Sequence, residues 1–192
     1  MVVLSAGILL YRRGPATGSP ADSPAGPPAG SPASPLAGSA PGPRADLEVW
    51  IAHMGGPFWA NKEARAWSVP KGEYSPGEEP WLAAQREFAE EMGSPPPPAD
   101  YFRLGDFKQP SGKVITVFAA ESDFTPEEIR SNTFPLEWPK GSGRIQQFPE
   151  IDRAAWTAEA EARALLVRGQ VPVLDALLTR LGSRPPGPAE AG

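Results

Sequence analysis

Residues 71–94, KGEYSPGEEPWLAAQREFAEEMGS, determine how the rest of the chain is interpreted. The stretch opens with turn-forming glycine, serine and proline and continues with good helix formers. Pro80 suits the first turn of a helix, where its missing N–H would have no partner in any case. Gly93 is placed to cap the end of the helix, and the four prolines that follow at 95–98 prevent its continuation. The stretch therefore predicts a turn followed by one helix that begins at Pro80 and ends before Gly93.

The predicted helix has two different faces. Its inward, mostly apolar positions recur at three- and four-residue spacing: Trp81, Ala84, Gln85, Phe88 and Met92. Glu87, Glu90 and Glu91 lie together on the other side, at i, i+3 and i+4. Neighbouring like charges destabilise a helix by a few tenths of a kcal/mol per pair, so a bound cation would explain why they are kept together. Carboxylate-rich, oxygen-only sites suit Mg²⁺ or Mn²⁺, and the alternative is a solvated acidic surface.

The whole stretch resembles the Nudix box, the signature of the Nudix hydrolase family. The resemblance rests on seven charged and glycine positions at matching spacing: Gly72, Glu78, Arg86, Glu87, Glu90, Glu91 and Gly93. Ser94 departs from the pattern, because the family usually has an aliphatic residue at that packing position. The resemblance implies an α/β fold, the Nudix α/β/α sandwich, with a mixed β-sheet between helices. It also implies hydrolysis of a phosphoanhydride with Mg²⁺ or Mn²⁺ as the cofactor.

The resemblance also implies which residues would bind the metal. The expected ligands are the helix glutamates Glu87, Glu90 and Glu91. The backbone carbonyl before the box glycine, here that of Lys71, would join them. Glycine at 72 and 93 would supply backbone conformations that a Cβ would hinder.

Further residues are expected to support catalysis. By resemblance Arg86 orients a ligand glutamate and Glu78 steadies the loop against the helix. The segment FPEIDRAAW at 148–156 resembles the entry to the last strand of many Nudix proteins, where a glutamate supplies an extra ligand or the catalytic base. Glu150 matches best, and the base is either Glu150 or one of the helix glutamates.

The substrate class is less constrained than the reaction. A nucleoside triphosphate pyrophosphohydrolase of the MutT-like kind is the first expectation. The lead-in formed by Trp67, Pro70, Lys71 and Gly72 is similar to that of dinucleoside polyphosphate hydrolases, which makes diadenosine tetraphosphate-like substrates an alternative; ADP-ribose is another. Trp67, the Lys71 side chain and Arg144 are candidate substrate contacts. A non-catalytic nucleotide sensor is the alternative of a different class.

Composition limits the kinds of site, partner and cellular location that we expect. The 192 residues carry a formal net charge of −5 and no cysteine, which excludes disulfides, thiolate zinc sites and a cysteine nucleophile. No basic patch suggests a nucleic-acid polymer or membrane partner, and no apolar run is long enough to span a bilayer. We expect a soluble, cytoplasmic protein, monomer or homodimer, whose partner is a small nucleotide.

We predict a single Nudix domain over 1–182, with a disordered Pro/Ala/Gly/Ser-rich loop at 14–45 and a disordered tail at 183–192. Strands are expected at 2–12, 46–53, 101–108 and 114–121, the last two as a hairpin. Thr125 is expected to start a helical turn, and 133–149 to be irregular. Thr157 is expected to cap a helix that runs to about Val167, and Pro172 to open another helix that docks on the sheet.

Overall fold

The structure is a computed structural model that describes residues 2–13 and 47–182. The predicted disordered loop at 14–45 and the predicted tail at 183–192 lie outside the described residues. The strands are β1 Leu4–Arg13, β2 Leu47–Met54, β3 Trp67–Ser68, β4 Lys71–Tyr74, β5 Phe102–Lys108, β6 Val114–Glu121, β7 Thr133–Glu137, β8 Ile145–Pro149 and β9 Ile151–Ala158. The helices are α1 Pro80–Met92, α2 Glu159–Leu165 and α3 Val171–Gly182, with a short 3₁₀ turn at Arg168–Gln170 before α3.

Strand β1 lies at the centre of a seven-stranded mixed sheet. It pairs in parallel with the whole of β6, from Leu4 opposite Val114 to Tyr11 opposite Glu121. Its other edge is shared, because the first half pairs with β4 and the second half with β2, both antiparallel. Strand β2 also pairs with β3 and β9, and β5 pairs with β6 as the predicted hairpin. The predicted strands at 2–12, 46–53, 101–108 and 114–121 are therefore confirmed to within one or two residues.

Apolar side chains on alternate strand positions form a core on each face of the sheet. Leu9 and Tyr11 of β1 join the core under α2 and α3, whereas Ile8 and Leu10 join the core under α1. The two-residue period of a strand produces this division, since successive side chains point to opposite faces. Helices on both faces of a mixed sheet make the predicted α/β/α sandwich, which is confirmed. None of the described helices is long and apolar enough to cross a membrane.

Helix α1 has the predicted bounds. Pro80 is its first residue, and Gly93 follows it in the left-handed conformation, with φ 74°. Gly93 donates its N–H to the carbonyl of Ala89, and a Cβ at Gly93 would lie 2.7 Å from Cβ of Arg130. The glycine therefore supplies both a backbone conformation and a close contact that other residues would disfavour.

Two predictions at the C-terminal half are wrong. The segment 133–149 is not irregular, because β7 and β8 pair as an antiparallel hairpin in a second, two-stranded sheet. Thr157 is not a helix cap; it lies in β9 opposite Val49, and α2 begins two residues later with Ala158 as its N-cap. Pairing with β2 thus overrides the capping preference of threonine.

The predicted helical turn at Thr125 is also wrong. Residues 125–128 contain no helix, and the hydroxyl of Thr125 donates to the carbonyl of Asp123 instead of capping a helix. Just before it, the Phe124 ring packs against the rings of Trp50 and Phe88, and its carbonyl accepts a hydrogen bond from Trp156. These contacts hold the segment in an extended path. The predicted opening of the last helix at Pro172 is confirmed, since α3 begins at Val171.

Candidate active site

An acid-lined cavity of about 370 Å³ lies where β4, α1 and the β8–β9 junction meet. Its acidic lining comprises Glu73, Glu87, Glu91 and Glu150. Two aromatic residues, Trp59 and Phe134, line the same cavity, together with the backbone at Gly55, Lys71 and Gly72. Residues far apart in the chain therefore meet at one opening.

Glu91 is the most buried of these acids, with 7% of its surface exposed. Its carboxylate accepts the backbone N–H of Lys71 at 2.9 Å, which ties the last turn of α1 to β4. Burial raises the pKa of Glu91 to about 8, against the opposing effects of the Lys71 charge and N–H. The sequence predicted Glu87, Glu90 and Glu91 on one outward face of α1. Glu91 instead lies at the boundary between that face and the buried face, and its side chain is directed inward.

Glu87 lies against Gly72 and is held by Arg86. A Cβ at Gly72 would overlap the Glu87 carboxylate, so only glycine permits this approach of strand and helix. Burial raises the pKa of Glu87, which the ion pair with Arg86 opposes. The Arg86 guanidinium also contacts Glu78 at 3.2 Å and Glu90 at 3.5 Å, and so connects the loop before α1 to two glutamates of the helix.

Glu90 and Glu150 differ in their relation to the cavity. Glu90 does not line the cavity; its side chain is 39% exposed and accepts a hydrogen bond from the Asn132 amide at 3.3 Å. Glu150 is exposed and lines the cavity. Its backbone N–H donates to the carbonyl of Asn132, and its carbonyl accepts the N–H of Gly55. Asn132 thus joins α1 to the turn that carries Glu150.

The donor chemistry of the cavity fits a hard divalent cation. Glu87, Glu91 and Glu150 offer carboxylate oxygens, and a buried carboxylate such as Glu91 gains most from a cation because it has lost its hydration. Within residues 2–13 and 47–182, no three His, Cys, Asp or Glu side chains are already arranged as a metal centre. Arg86 engages one oxygen of Glu87, and the N–H of Lys71 engages one oxygen of Glu91, so each carboxylate keeps a second oxygen for a cation.

A second cavity, of about 410 Å³, adjoins the first. The two share a wall formed by Met54, Ser68, Lys71, Gly72 and Glu73. The rest of the second cavity is lined by the β5–β6 loop and the 3₁₀ turn, including Gln109, Lys113 and Arg168. Lys113 forms an ion pair with Glu73 at 2.5 Å. The second cavity is therefore lined by three cationic residues and one acid, whereas the first is lined by four acids and one cationic residue.

Two predicted substrate residues lie outside both cavities. Trp67 is buried in the core under α2 and α3, where its indole N–H donates to Glu63. Arg144 is exposed in the connection between β7 and β8. The structure instead places Trp59 and Phe134 at the acid cavity, and sequence reasoning missed Phe134 altogether. Its signal was the pair of segments TFPLE and IQQFP, which carry an aromatic at matching positions on either side of a glycine-rich turn.

His53, the single histidine of the sequence, has a structural role. It is buried, and its ring nitrogens are hydrogen-bonded to the Asp152 carboxylate and to the carbonyl of Lys62, both at 2.7 Å. These contacts occupy both ring nitrogens of His53 and link β2 to β9 and to the loop that follows β2. The ring is therefore committed to structure and is not directed into the acid cavity.

The sequence profile of the NUDIX domain matches residues 44–177. The chain belongs to the Nudix family. It is accordingly a hydrolase that acts on pyrophosphate bonds. A comparison with curated protein sequences returned no match.

Solved structures share the Nudix fold at low sequence identity. An Ap4A hydrolase from C. elegans, in a binary complex, superimposes with a TM-score of 0.54 at 17% identity, over 94% of this chain and 99% of that one. The NUDIX domain of Shewanella oneidensis NrtR, complexed with ADP ribose, gives 0.52 at 13% identity, over 94% and 89%. The MutT protein from Methanosarcina mazei Go1 gives 0.50 at 13% identity, over 95% and 96%. At these identities the Nudix neighbours show the fold alone.

Proposed function

We propose that this protein is a Mg²⁺- or Mn²⁺-dependent hydrolase that cleaves a phosphoanhydride bond in a nucleoside diphosphate linked to another moiety. The observation that supports this most is the meeting of Glu87, Glu91 and Glu150 around one cavity beside Gly72. Burial raises the pKa of Glu87 and of Glu91, and clustered acids with such perturbed pKa values are typical of functional sites. A cytoplasmic location and a small nucleotide partner belong to the same proposal.

In this proposal the helix glutamates hold the metal. Glu87, Glu90 and Glu91, with the backbone carbonyl of Lys71, are the ligands, and Glu90 would have to turn inward from the cavity edge. A bound divalent ion would offset the negative charge of the diphosphate that otherwise repels an attacking water. Arg86 is a positioning residue, because its guanidinium already fixes Glu87 and reaches Glu90.

The reaction itself needs a base for the attacking water. The water oxygen bonds to one phosphorus, the bridging P–O bond breaks, and the proton of the water passes to a carboxylate. Glu150 is one candidate because it lines the cavity, is exposed, and forms no ion pair among the described residues. A helix glutamate that is not engaged by metal is the other.

The second cavity is where we place the nucleoside. It adjoins the acid cavity along Lys71–Glu73, so a nucleoside there would present its phosphates to the glutamates. Arg168 at its border would favour an anionic ligand, whereas Lys113 is already paired with Glu73. A nucleoside triphosphate is the simplest such substrate, and dinucleoside polyphosphates and ADP-ribose are the alternatives.

The test is a product-analysed screen of nucleotides, dinucleotides and nucleotide sugars with Mg²⁺ or Mn²⁺. Loss of a metal ligand at Glu91→Gln should lower kcat/KM on the order of 100-fold. Glu128→Gln, an exposed glutamate remote from the cavity, is the matched control and should change nothing. Turnover of Glu91→Gln within a factor of two of the native protein would refute the assignment. Tight binding by calorimetry without any product would indicate a nucleotide sensor instead.

A further inference from the structure

The β7–β8 hairpin forms a wall that extends outward from the acid cavity. Phe134 of β7 lines the cavity, and a Cβ at Gly56 would lie 3.0 Å from its ring. The loop that follows β2 therefore lies directly on the inner face of the hairpin, the face that carries Phe134 and Phe148. Through this contact the hairpin and loop 55–59 form one continuous surface that starts at the glutamates.

That surface carries a pair of aromatic rings that the core does not use. Phe58 and Trp138 meet edge to face, with ring centroids 5.5 Å apart. Phe58 is still 57% exposed, so most of its ring faces solvent. Its neighbour Trp59 lines the acid cavity, and the Lys62 ammonium lies 4.9 Å from the Trp59 ring centroid. One exposed ring and two half-buried rings beside the acid cavity are therefore available to contact a ring of the ligand.

Cationic side chains accompany these rings. Lys140 and Arg144 lie in the β7–β8 connection next to Trp138, and both are exposed. In the part of the chain that the structure describes, neither side chain forms an ion pair or hydrogen bond, although the protein is acidic overall. Unpaired cations beside exposed rings match a ligand that carries both phosphates and an aromatic base.

We propose that Phe58 and Trp138, with Arg144 and Lys140, form a second subsite that binds an aromatic base on the far side of the scissile phosphates. This deepens the proposed function. One nucleoside would occupy the cavity at Lys113 and Arg168, the polyphosphate would cross the glutamates, and the second base would stack on Phe58. The substrate class that fills both subsites is a dinucleoside polyphosphate, in preference to a nucleoside triphosphate or a nucleotide sugar.

Binding of methylene-bridged analogues of ATP and of diadenosine tetraphosphate tests the subsite without requiring turnover. Loss of base stacking in Phe58→Ala should weaken the two-base analogue about tenfold more than the one-base analogue, measured by calorimetry. Arg144→Gln should give a smaller loss that disappears at about 0.5 M NaCl, because salt screens exposed charges. The kcat/KM ratio of diadenosine tetraphosphate to ATP should fall in parallel for Phe58→Ala.

Ile145→Ala is the matched control. Ile145 is 66% exposed on the same hairpin, and it pairs with Glu137, one position out of phase with Trp138, so its side chain projects from the opposite face. This variant should leave both affinities unchanged. Equal losses for both analogues in Phe58→Ala, or a loss in Ile145→Ala of the same size, would overturn the subsite. A changed molecular mass of Phe58→Ala in light scattering, with unchanged affinities, would also overturn the subsite. The rings would then form a contact between copies of the chain.

The two proposals fail separately. If the native protein turns over substrate and Phe58→Ala leaves the ratio of the two affinities unchanged, the subsite is refuted and the proposed hydrolysis stands. If Phe58→Ala changes the ratio of the two affinities but the native protein turns over no substrate, the subsite stands and the proposed hydrolysis is refuted. Failure of the native protein to bind either analogue overturns the subsite.

Discussion

Replacing Glu91 by glutamine should stabilise the metal-free protein while it lowers kcat/KM on the order of 100-fold. Burial raises the pKa of this carboxyl from 4.5 to about 8. An acid whose pKa is higher in the folded state loses protons more readily when unfolded, so the fold loses stability as pH rises from 4.5 towards 8. At pH 7 this amounts to about 3 kcal/mol of unfavourable free energy. Glutamine carries no charge and retains an oxygen that accepts the N–H of Lys71.

The net gain is smaller than the full electrostatic figure. The new amide NH₂ has no prepared acceptor in the buried site, which costs about 1–2 kcal/mol. We therefore expect Glu91→Gln to be about 1–2 kcal/mol more stable than the native protein at pH 7 in EDTA, with a rise in Tm of roughly 2–8 °C. The advantage should be larger at pH 8.5, whereas at pH 4.5 the native protein should be the more stable by about 1 kcal/mol. Mg²⁺ should reverse the order, because only the carboxylate gains from the cation.

Urea unfolding followed by tryptophan fluorescence at pH 4.5, 7 and 8.5 measures this. Glu90→Gln is the matched control, because that side chain is 39% exposed and its substitution should have no comparable pH-dependent effect. A difference between native protein and Glu91→Gln that is the same at all three pH values would refute the reasoning. So would a native protein that is the more stable of the two at pH 8.5 in EDTA.

Two further substitutions test the positions of the other acids. Gly72→Ala should destabilise the fold by about 1–3 kcal/mol and reduce kcat strongly, because the added Cβ overlaps the Glu87 carboxylate; urea midpoints and steady-state kinetics check this. Arg86→Lys should lower kcat at least tenfold with under 1 kcal/mol of lost stability, since lysine cannot bridge several carboxylates as the planar guanidinium does. The exposed pair of Arg103 with Asp106 provides the control, and Arg103→Lys should leave kcat unchanged.

Elements with strong local signals could be predicted from the sequence. Helix α1 has proline at its start, glycine after its end and an apolar face, and each of these signals acts within a few residues. Strands β1, β2 and β6 are rich in buried apolar residues, so their positions could also be predicted. The spacing of Glu87, Glu90 and Glu91 was enough to predict that their side chains lie close together, because positions i, i+3 and i+4 are neighbours on any helix.

Features that depend on distant partners could not be predicted. Every residue of β7 and β8 is exposed or half-buried, and Pro135 interrupts β7, so the hairpin lacks the alternating pattern that reveals a strand. Without that hairpin, nothing brings Phe134 to the acid cavity. The inward turn of Glu91 depends on the N–H of Lys71, which lies 20 residues away. Helix periodicity cannot report such a contact.

The position of β1 has a consequence for how the chain could be divided. This strand pairs with β2, β4 and β6 and so occupies the middle of the sheet, yet it precedes the first residue of the family match at 44. A polypeptide that started at residue 44 would expose unsatisfied backbone groups along three neighbouring strands and would aggregate. A separate peptide containing residues 2–13 would restore the hydrogen-bond partners of these strands by strand addition. We therefore expect the two fragments to complement each other when mixed.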